Sequence, residues 1–227
     1  MNITMDDASS HAAEIYQFHA YIRRISPLIW RRILVHSDST IADLHYILQI
    51  AFGWTDTYLH QFLIRGRNYG IAYVGGITFS DNPHKIRLKD LNLRLKERFV
   101  YEYNFFLHWE LEVRLEKMVP SVPKKTYPVC IGGDRISPPE DCEGPDAFMS
   151  FQQGLSFFDV IDIRQRLIEI MEDKELTDEE KIEDCREVFE PLRSLLDVRK
   201  FDRRAINQWL KRYAVKEKGW EEAFEEA

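Results

Sequence analysis

The chain has few cysteines, few glycines and no long apolar run, and each shortage narrows what it can be. Three cysteines in 227 residues are an odd number far below disulfide-scaffold density. They exclude a small stapled fold and predict a reducing, cytoplasmic compartment. No apolar stretch approaches the roughly 20 residues that a bilayer-spanning helix requires. The opening "MNITMDDASSHAAEIYQF" has neither the basic n-region nor the apolar h-region of a signal peptide, so no membrane association is expected. Phosphate-cradling glycine loops are missing too: there is no G-x-x-x-x-G-K-[ST], and no G-x-G-x-x-G follows a strand. Gly75-Gly76 and Gly132-Gly133 stand alone. No G-x-S-x-G elbow occurs, and neither Cys130 nor Cys142 lies beside a base in sequence, which leaves nucleophilic catalysis without a signature.

What is present describes a folded protein. Apolar residues make up 44%, charged residues 30% and aromatics 13%, well away from disordered composition. The length suffices for one sizeable core plus an appendage. The net charge is −7, and it is uneven. Twenty of the 38 acidic and 14 of the 31 basic residues lie from residue 155 onward, leaving 18 against 17 before it. Strong non-specific binding to nucleic acid works through a basic surface, so it is not expected of the whole chain.

The pattern of the first part reads β-β-α-β. "IYQFHAYI" alternates and is followed, after Ser26-Pro27, by "IWRRILV". "SDSTIADLHYILQIAFGW" predicts an amphipathic helix: Ser39 or Thr40 can cap it, Ile41, Leu44, Ile47, Leu48 and Ala51 form the apolar stripe, and Gly53 ends it. "YLHQFLIRG" and "NYGIAYV" predict a hairpin turning at Gly66 and Asn68. "IRLKDLNL" reads as a short strand and a helical turn, and "RFVYEYNFFLHWELEVRLEKM" as two long strands with Trp109 at the start of a core-facing row. The stretch "YPVCIGGDRISPPEDCEGPDAF" reads as an extended, turn-forming loop. Three helical patterns close the chain, the second opening on the capping-box spacing Thr177-x-x-Glu180. The expectation is an α+β fold: a mixed or antiparallel sheet with one packed helix, of β-grasp-like type, over residues 14–150, with a C-terminal helical appendage over 151–227.

Four blocks carry a family resemblance. They are Pro27-Leu28-Ile29-Trp30-Arg31-Arg32, Ala42-Asp43-Leu44-His45, Phe52-Gly53-Trp54 and Leu59-His60-Gln61-Phe62. With the Tyr-Pro-x-Cys … Pro-Pro-Glu-Asp-Cys-x-Gly pattern of residues 127–144 and the closing "FDRRAINQWLKRY", the chain resembles the plasmid pRiA4b Orf3-like family. The resemblance implies association with plasmids and insertion elements, and some members carry a resolvase-like label. Resolvase chemistry would need a Ser or Tyr nucleophile ringed by arginines, and nothing in the sequence ties Arg31, Arg32, Arg65 or Arg67 to one. Where the family reads Tyr-Asp-Phe-Gly-Asp-x-Trp-x-His, this chain has "YNFFLHWEL". Asn104, Leu107 and Leu111 replace two carboxylates and an imidazole.

Several chemistries compete for the cysteine loop. Cys130 and Cys142, with eleven residues between them, are too widely spaced for one zinc knuckle. As metal ligands they would need His60 and His108, with Glu140 and Asp141 as oxygen donors. They could instead close a regulatory disulfide, or pack as small apolar groups in a loop stiffened by Pro138-Pro139. In the last helix Lys200, Arg203, Arg204, Lys211 and Arg212 form a basic side that could lie on phosphates, or simply a solvated face opposite Phe201, Ala205, Trp209 and Tyr213. His45 reads as a satisfied or surface histidine. Of Arg31 and Arg32 one must face inward, toward a carboxylate such as Asp43 or a capping role near the loop.

The resulting expectation is a non-enzymatic binding or adaptor protein with no resident cofactor and an unknown protein or nucleic-acid partner. Its recognition surface would be the sheet edge with the cysteine loop: Tyr127, Cys130, Asp134, Glu140, Asp141 and Cys142. The alternative is a metal-dependent hydrolase or nuclease-like enzyme using His60, Cys130, Asp141 and Cys142, with zinc as the candidate ion.

Overall fold

Alternation dictates the sheet. In the computed structural model, which describes residues 14–71, 79, 81–153, 157–196 and 201–225, β1 (Glu14–Ile22) and β2 (Trp30–His36) pair antiparallel with Tyr21 opposite Trp30. β3 (His60–Ile64) and β4 (Arg67–Gly70) form a hairpin. Its two turn residues, Arg65 and Gly66, both have positive φ (50° and 75°), as a two-residue turn matched to strand twist requires. β5 (Arg98–Tyr103), β6 (Trp109–Pro120) and β7 (Val129–Asp134) complete one seven-stranded sheet in the order β4-β3-β5-β6-β1-β2-β7. Each pairing is antiparallel. The sheet is therefore the antiparallel one of the two types expected, and a helix laid across one face is the part of a β-grasp arrangement that it keeps.

That helix is α1 (Ile41–Phe52). Thr40 and Asp43 form a reciprocal capping box, with Thr40 N–H donating to Asp43 Oδ2 at 2.7 Å and Asp43 N–H to Thr40 Oγ1 at 3.0 Å. Such a cap stabilises a helix by about 1 kcal/mol. Gly53 ends the helix in the left-handed region (φ 72°), where a side chain would strain the backbone. Leu44, Ile47, Leu48 and Ala51 meet Phe18, Ile33, Phe62, Tyr101, Trp109, Leu111 and Val113 from the sheet in one buried cluster. The opposite sheet face combines a small apolar cluster of Ile15, Leu34 and Tyr127 with polar pairs. There Arg32 pairs with Glu116 at 2.6 Å, and Gln17 donates to the same carboxylate at 2.8 Å.

Three expectations are corrected. The Gly-Gly part of the cysteine loop is not a turn but strand β7, which pairs with β2 at the sheet edge. Its glycines serve packing: a Cβ on Gly133 would stand 2.7 Å from the Phe201 ring. "IRLKDLNL" forms no strand. A 3₁₀ turn (Leu88–Leu91) stands there, preceded by a single bridge between Arg87 and Thr40. Asn68, expected in the hairpin turn, lies in β4 opposite Leu63, and residues 72–74 of the expected second strand lie outside the described ones.

The helical region holds α2 (Gly144–Gln153), α3 (Phe157–Glu172), α4 (Asp178–Leu196), α5 (Arg203–Ala214) and α6 (Trp220–Glu225). α3 packs on α4, whose start carries the expected capping box between Thr177 and Glu180. α5 lies against β7 and α1 and buries Leu210 in the core of the sheet. Asn207 fastens it there. Its amide accepts from Cys130 N–H at 2.7 Å and donates to Cys130 C=O at 2.9 Å, so it occupies the outer edge of β7 as a further strand would. Among the described residues no helix is long and apolar enough to cross a membrane.

Arg31 is the inward arginine, but the carboxylate partner is corrected as well. It is 2% exposed and donates to Ala51 C=O at 2.8 Å, Trp30 C=O at 2.8 Å, Asp134 C=O at 3.0 Å and Ser137 Oγ at 3.1 Å. Its guanidinium lies 5.1 Å from the Phe52 ring centroid and 4.4 Å from that of Phe201. Asp43 instead caps α1 and accepts from Tyr213 O–H at 2.6 Å. Burial lowers Arg31 to about 10, which leaves it charged at neutral pH.

Two outcomes follow from these bonds. Arg31→Met strips a donor from several buried carbonyls and is expected to cost about 3–5 kcal/mol in urea unfolding; a loss under about 1 kcal/mol would contradict this role. Hydrogen bonds from Arg32, against a smaller cost of burial, hold the Glu116 carboxyl down at about 2, below its ordinary 4.5. The stabilisation from that pair is present above 4.5 and is lost as pH falls toward 2. Glu116→Gln should therefore lose less stability than wild type between pH 6 and pH 3, both assayed by urea unfolding.

Candidate functional site

The cysteine loop is held by its backbone and by one carboxylate. Trp54 Nε1 donates to Pro138 C=O at 3.1 Å and Trp109 Nε1 to Glu140 C=O at 2.9 Å. Glu140 accepts from Thr55 N–H at 3.0 Å, from Tyr103 O–H at 2.7 Å and from the Thr55 hydroxyl. Burial, reinforced by this carboxylate, pushes the Tyr103 phenol well up. Glu140 is thus a clamp over the end of α1.

The other loop residues are divided. Tyr127 is buried edge-on against His36. Cys130 is buried in β7, its Sγ 3.3 Å from Gly132 C=O, and Cys142 is half-buried. Asp134 and Asp141 are exposed. All three cysteines are free thiols. Burial raises Cys130, and burial followed by the charge of Asp141 pushes Cys142 up to about 11. A protonated thiol is a poor nucleophile and a poor metal ligand. With Asn207 on the β7 edge, only the exposed acidic half of the expected recognition surface faces solvent.

The four proposed metal ligands do not meet. His108 sits in an exposed turn with Nδ1 2.9 Å from Glu102. Among the described residues, the grouping of His, Cys, Asp and Glu with ligand atoms within 4.8 Å of one another is His45, Asp56 and His60. The basic side of α5 is partly committed. Arg203 donates to Ile131 C=O at 3.2 Å, and Arg212 pairs with Glu217 at 3.0 Å above the Trp209 ring. Arg204 and Lys211 are exposed, and Lys200 lies outside the described residues.

His45 projects from α1 into the core and is 1% exposed; His60 opens β3 on the same inner face and is 7% exposed. Their rings stack with centroids 3.5 Å apart and planes 8° apart. His45 Nδ1 lies 2.8 Å from the Tyr101 hydroxyl, which also accepts from Gln49 Nε2 at 2.7 Å. Asp56, in the turn after α1 (φ 57°), is placed by its N–H donating to Gln49 Oε1 at 3.0 Å. The Asp56 carboxylate is 2.8 Å from His45 Nε2 and 4.0 Å from His60 Nδ1. Close as it is, the His45 contact lacks hydrogen-bond direction, and Nε2 is a buried atom without a partner. Burial first, then His45 and His84, press His60 down to about 2, so it is a neutral imidazole. Leu111, where the resemblance places a histidine, stands opposite Tyr101 in the same sheet. His45 is neither satisfied nor at the surface, and Asp56 carried no sequence signal: ten residues separate it from His45, and a helix end intervenes.

A second feature is open. A cleft of about 500 Å³ lies between α1, the Tyr127-Pro128 segment and the α5–α6 turn. Tyr46, Tyr127, Tyr213 and Trp220 line it, with Asp43, Lys216 and Glu217. Tyr213 and Trp220 meet edge to face at 5.1 Å, and Trp220 meets Tyr46 likewise at 5.9 Å. Burial opposes ionisation of Asp43, but bonds from Tyr213 and Thr40 hold its carboxyl below the usual range.

The thiols give the check. Alkylation of Cys142 by iodoacetamide should be slow at pH 7.5 and still be accelerating above pH 9, while Cys130 should react only on unfolding. A rate for Cys142 that levels off below pH 8 would contradict this environment.

Comparison with known proteins places these features. The chain is 26% identical over 148 residues to the uncharacterized protein y4hQ of Sinorhizobium fredii, covering 63% of this chain and 74% of that one. It is similar to the crystal structure of the protein of unknown function MM3350 from Methanosarcina mazei Go1, with a TM-score of 0.57 and 32% identity over 63% of this chain and 82% of that chain. Residues 14–205 match the family described as plasmid pRiA4b ORF-3-like protein. The α1 blocks and the Glu140-clamped loop fall within that match, and the chain belongs to the plasmid pRiA4b ORF-3-like family.

Proposed function

We propose that the protein acts by binding, taking a short segment of a partner polypeptide into the cleft between α1 and the α5–α6 turn. The observation that carries this reading is the aromatic wall of that cleft. Trp220 meets Tyr46 and Tyr213 edge to face, and Tyr46 and Tyr213 lie tilted against each other, so a large apolar surface is offered with little ordering left to pay for. The volume of about 500 Å³ falls within the usual range of ligand sites.

The chemistry of the rim narrows the partner. The Asp43 carboxylate is occupied by Thr40 and Tyr213, and Glu217 by Arg212. Exposed Lys216 adds a positive charge. The favoured segment carries an aromatic or aliphatic anchor beside an acidic residue. Binding is preferred to catalysis because the loop groups with chemical potential are engaged elsewhere: Glu140 clamps Thr55 and Tyr103, and the thiols are protonated.

The test is amide chemical-shift mapping with indole-3-acetate and phenylpropionate as probes. Shifts are expected at residues 39–47, 127–128 and 213–220, weakened several-fold by Lys216→Glu and abolished by Tyr46→Ala. If neither probe moves these resonances at millimolar concentration, or if both variants bind as wild type does, the reading fails.

A further inference from the structure

We propose that His45, Asp56 and His60 form a binding site for a divalent transition-metal ion of the zinc class. The site is separate from the aromatic cleft and from the cysteines, and its standing does not depend on the binding role above.

The donor set comes first. Two imidazoles and one carboxylate suit first-row divalent ions, and three protein ligands leave a further position for water or another ligand. The three ligand atoms lie within 4.8 Å of one another. Two atoms bound to one ion at about 2.1 Å stand roughly 3–3.5 Å apart. The 2.8 Å separation of His45 Nε2 and Asp56 Oδ1 is just under that, and the 4.0 Å from Asp56 to His60 Nδ1 just over it. Small movements would satisfy both.

The second observation is independent of the spacing. His45 Nε2 is buried, has no hydrogen-bond partner, and lies 2.8 Å from the Asp56 carboxylate. Leaving such a group unpaired costs about 1–3 kcal/mol. The Tyr101 hydroxyl accepts from Gln49 and lies 2.8 Å from His45 Nδ1, where either group can donate. When the proton is on Nδ1, the bare Nε2 stands 2.8 Å from the Asp56 carboxylate, two electron-rich atoms in contact. A cation held by both removes the conflict, and a histidine whose far nitrogen donates to an oxygen is the common arrangement at metal sites.

Asp56, with 34% of its side chain exposed, borders a small opening beside Gln49, Thr55 and Trp220, which gives an ion a route from solvent. Ring geometry adds one requirement. Metals bind in the imidazole plane, and the two planes here are stacked almost parallel. An ion in the plane of His45 lies off that of His60, so binding turns the His60 ring about its Cβ–Cγ bond.

The experiment uses the full chain, stripped with chelator and titrated with zinc against a chromophoric competitor. One equivalent is expected to bind with a Kd of micromolar or tighter and to raise the Tm. His45→Gln, Asp56→Asn and His60→Gln should each weaken binding at least tenfold, whereas Cys130→Ser and Cys142→Ser should not. Cobalt substitution should give a visible ligand-field spectrum without the thiolate charge-transfer band of cysteine ligation. Tyr101→Phe leaves the three ligands in place and should weaken zinc by a smaller factor. Circular dichroism of every variant separates lost ligation from lost folding. Folded wild type that binds no zinc, folded ligand variants that bind it unchanged, or binding abolished by the cysteine variants would each overturn the proposal.

Discussion

The buried guanidinium of Arg31 is the contact on which the rest of the molecule depends. A charge at 2% exposure is costly unless its donors are satisfied, and here they are satisfied by neutral oxygens from separate elements. One bond reaches Ala51 in the last turn of α1, where the carbonyl end of the helix dipole favours a cation. Others reach Asp134 at the end of β7 and Ser137 in the loop beyond it, and the Phe201 ring before α5 covers the outer face. One side chain therefore sets the helix, the sheet edge, the cysteine loop and the C-terminal helix relative to one another.

The remaining family blocks complete that arrangement. Trp54 and Trp109 hold the backbone of the loop, and Glu140 ties it to Thr55 and Tyr103. Asn207 closes the β7 edge. The effect on chemistry is indirect but decisive. The cysteines are buried or half-buried and kept as thiols, while the turn after α1 is braced so that Asp56 hangs over the paired rings of His45 and His60. The loop that looked like a reactive site is the frame, and the grouping of His45, Asp56 and His60 stands on other elements, α1, the turn after it and β3.

Much of the fold was legible in the sequence because its signals are local. The alternation in β1 and β6, the Thr40 cap with Gly53 at the far end of α1, and Gly66 in the hairpin turn each depend on residues within one element. Where reading failed, a distant partner had overruled the local cue. Gly132-Gly133 has turn composition, yet it lies in a strand because Phe201 needs the space. Of the two roles expected for Arg31, a carboxylate partner or a capping role near the loop, it takes the second, with carbonyls from three segments. Of the site, His60 was named for a different ligand set, His45 was given a bland role, and Asp56 was passed over.

The sequence by itself determined the α+β class, the boundaries of the main helix, the amphipathic faces and, through its motif blocks, the family. These follow from periods of two and 3.6 residues and from capping and turn chemistry, all of which act over a few positions. Only the tertiary structure decided which polar groups meet. Tyr213 reaches Asp43 across 170 residues, Glu140 reaches Thr55 across 85, and His45 reaches Tyr101 across 56. Which donor finds which acceptor depends on how the sheet stacks on α1 and where α5 docks, because a buried polar group takes the partner that packing brings within 3 Å or so.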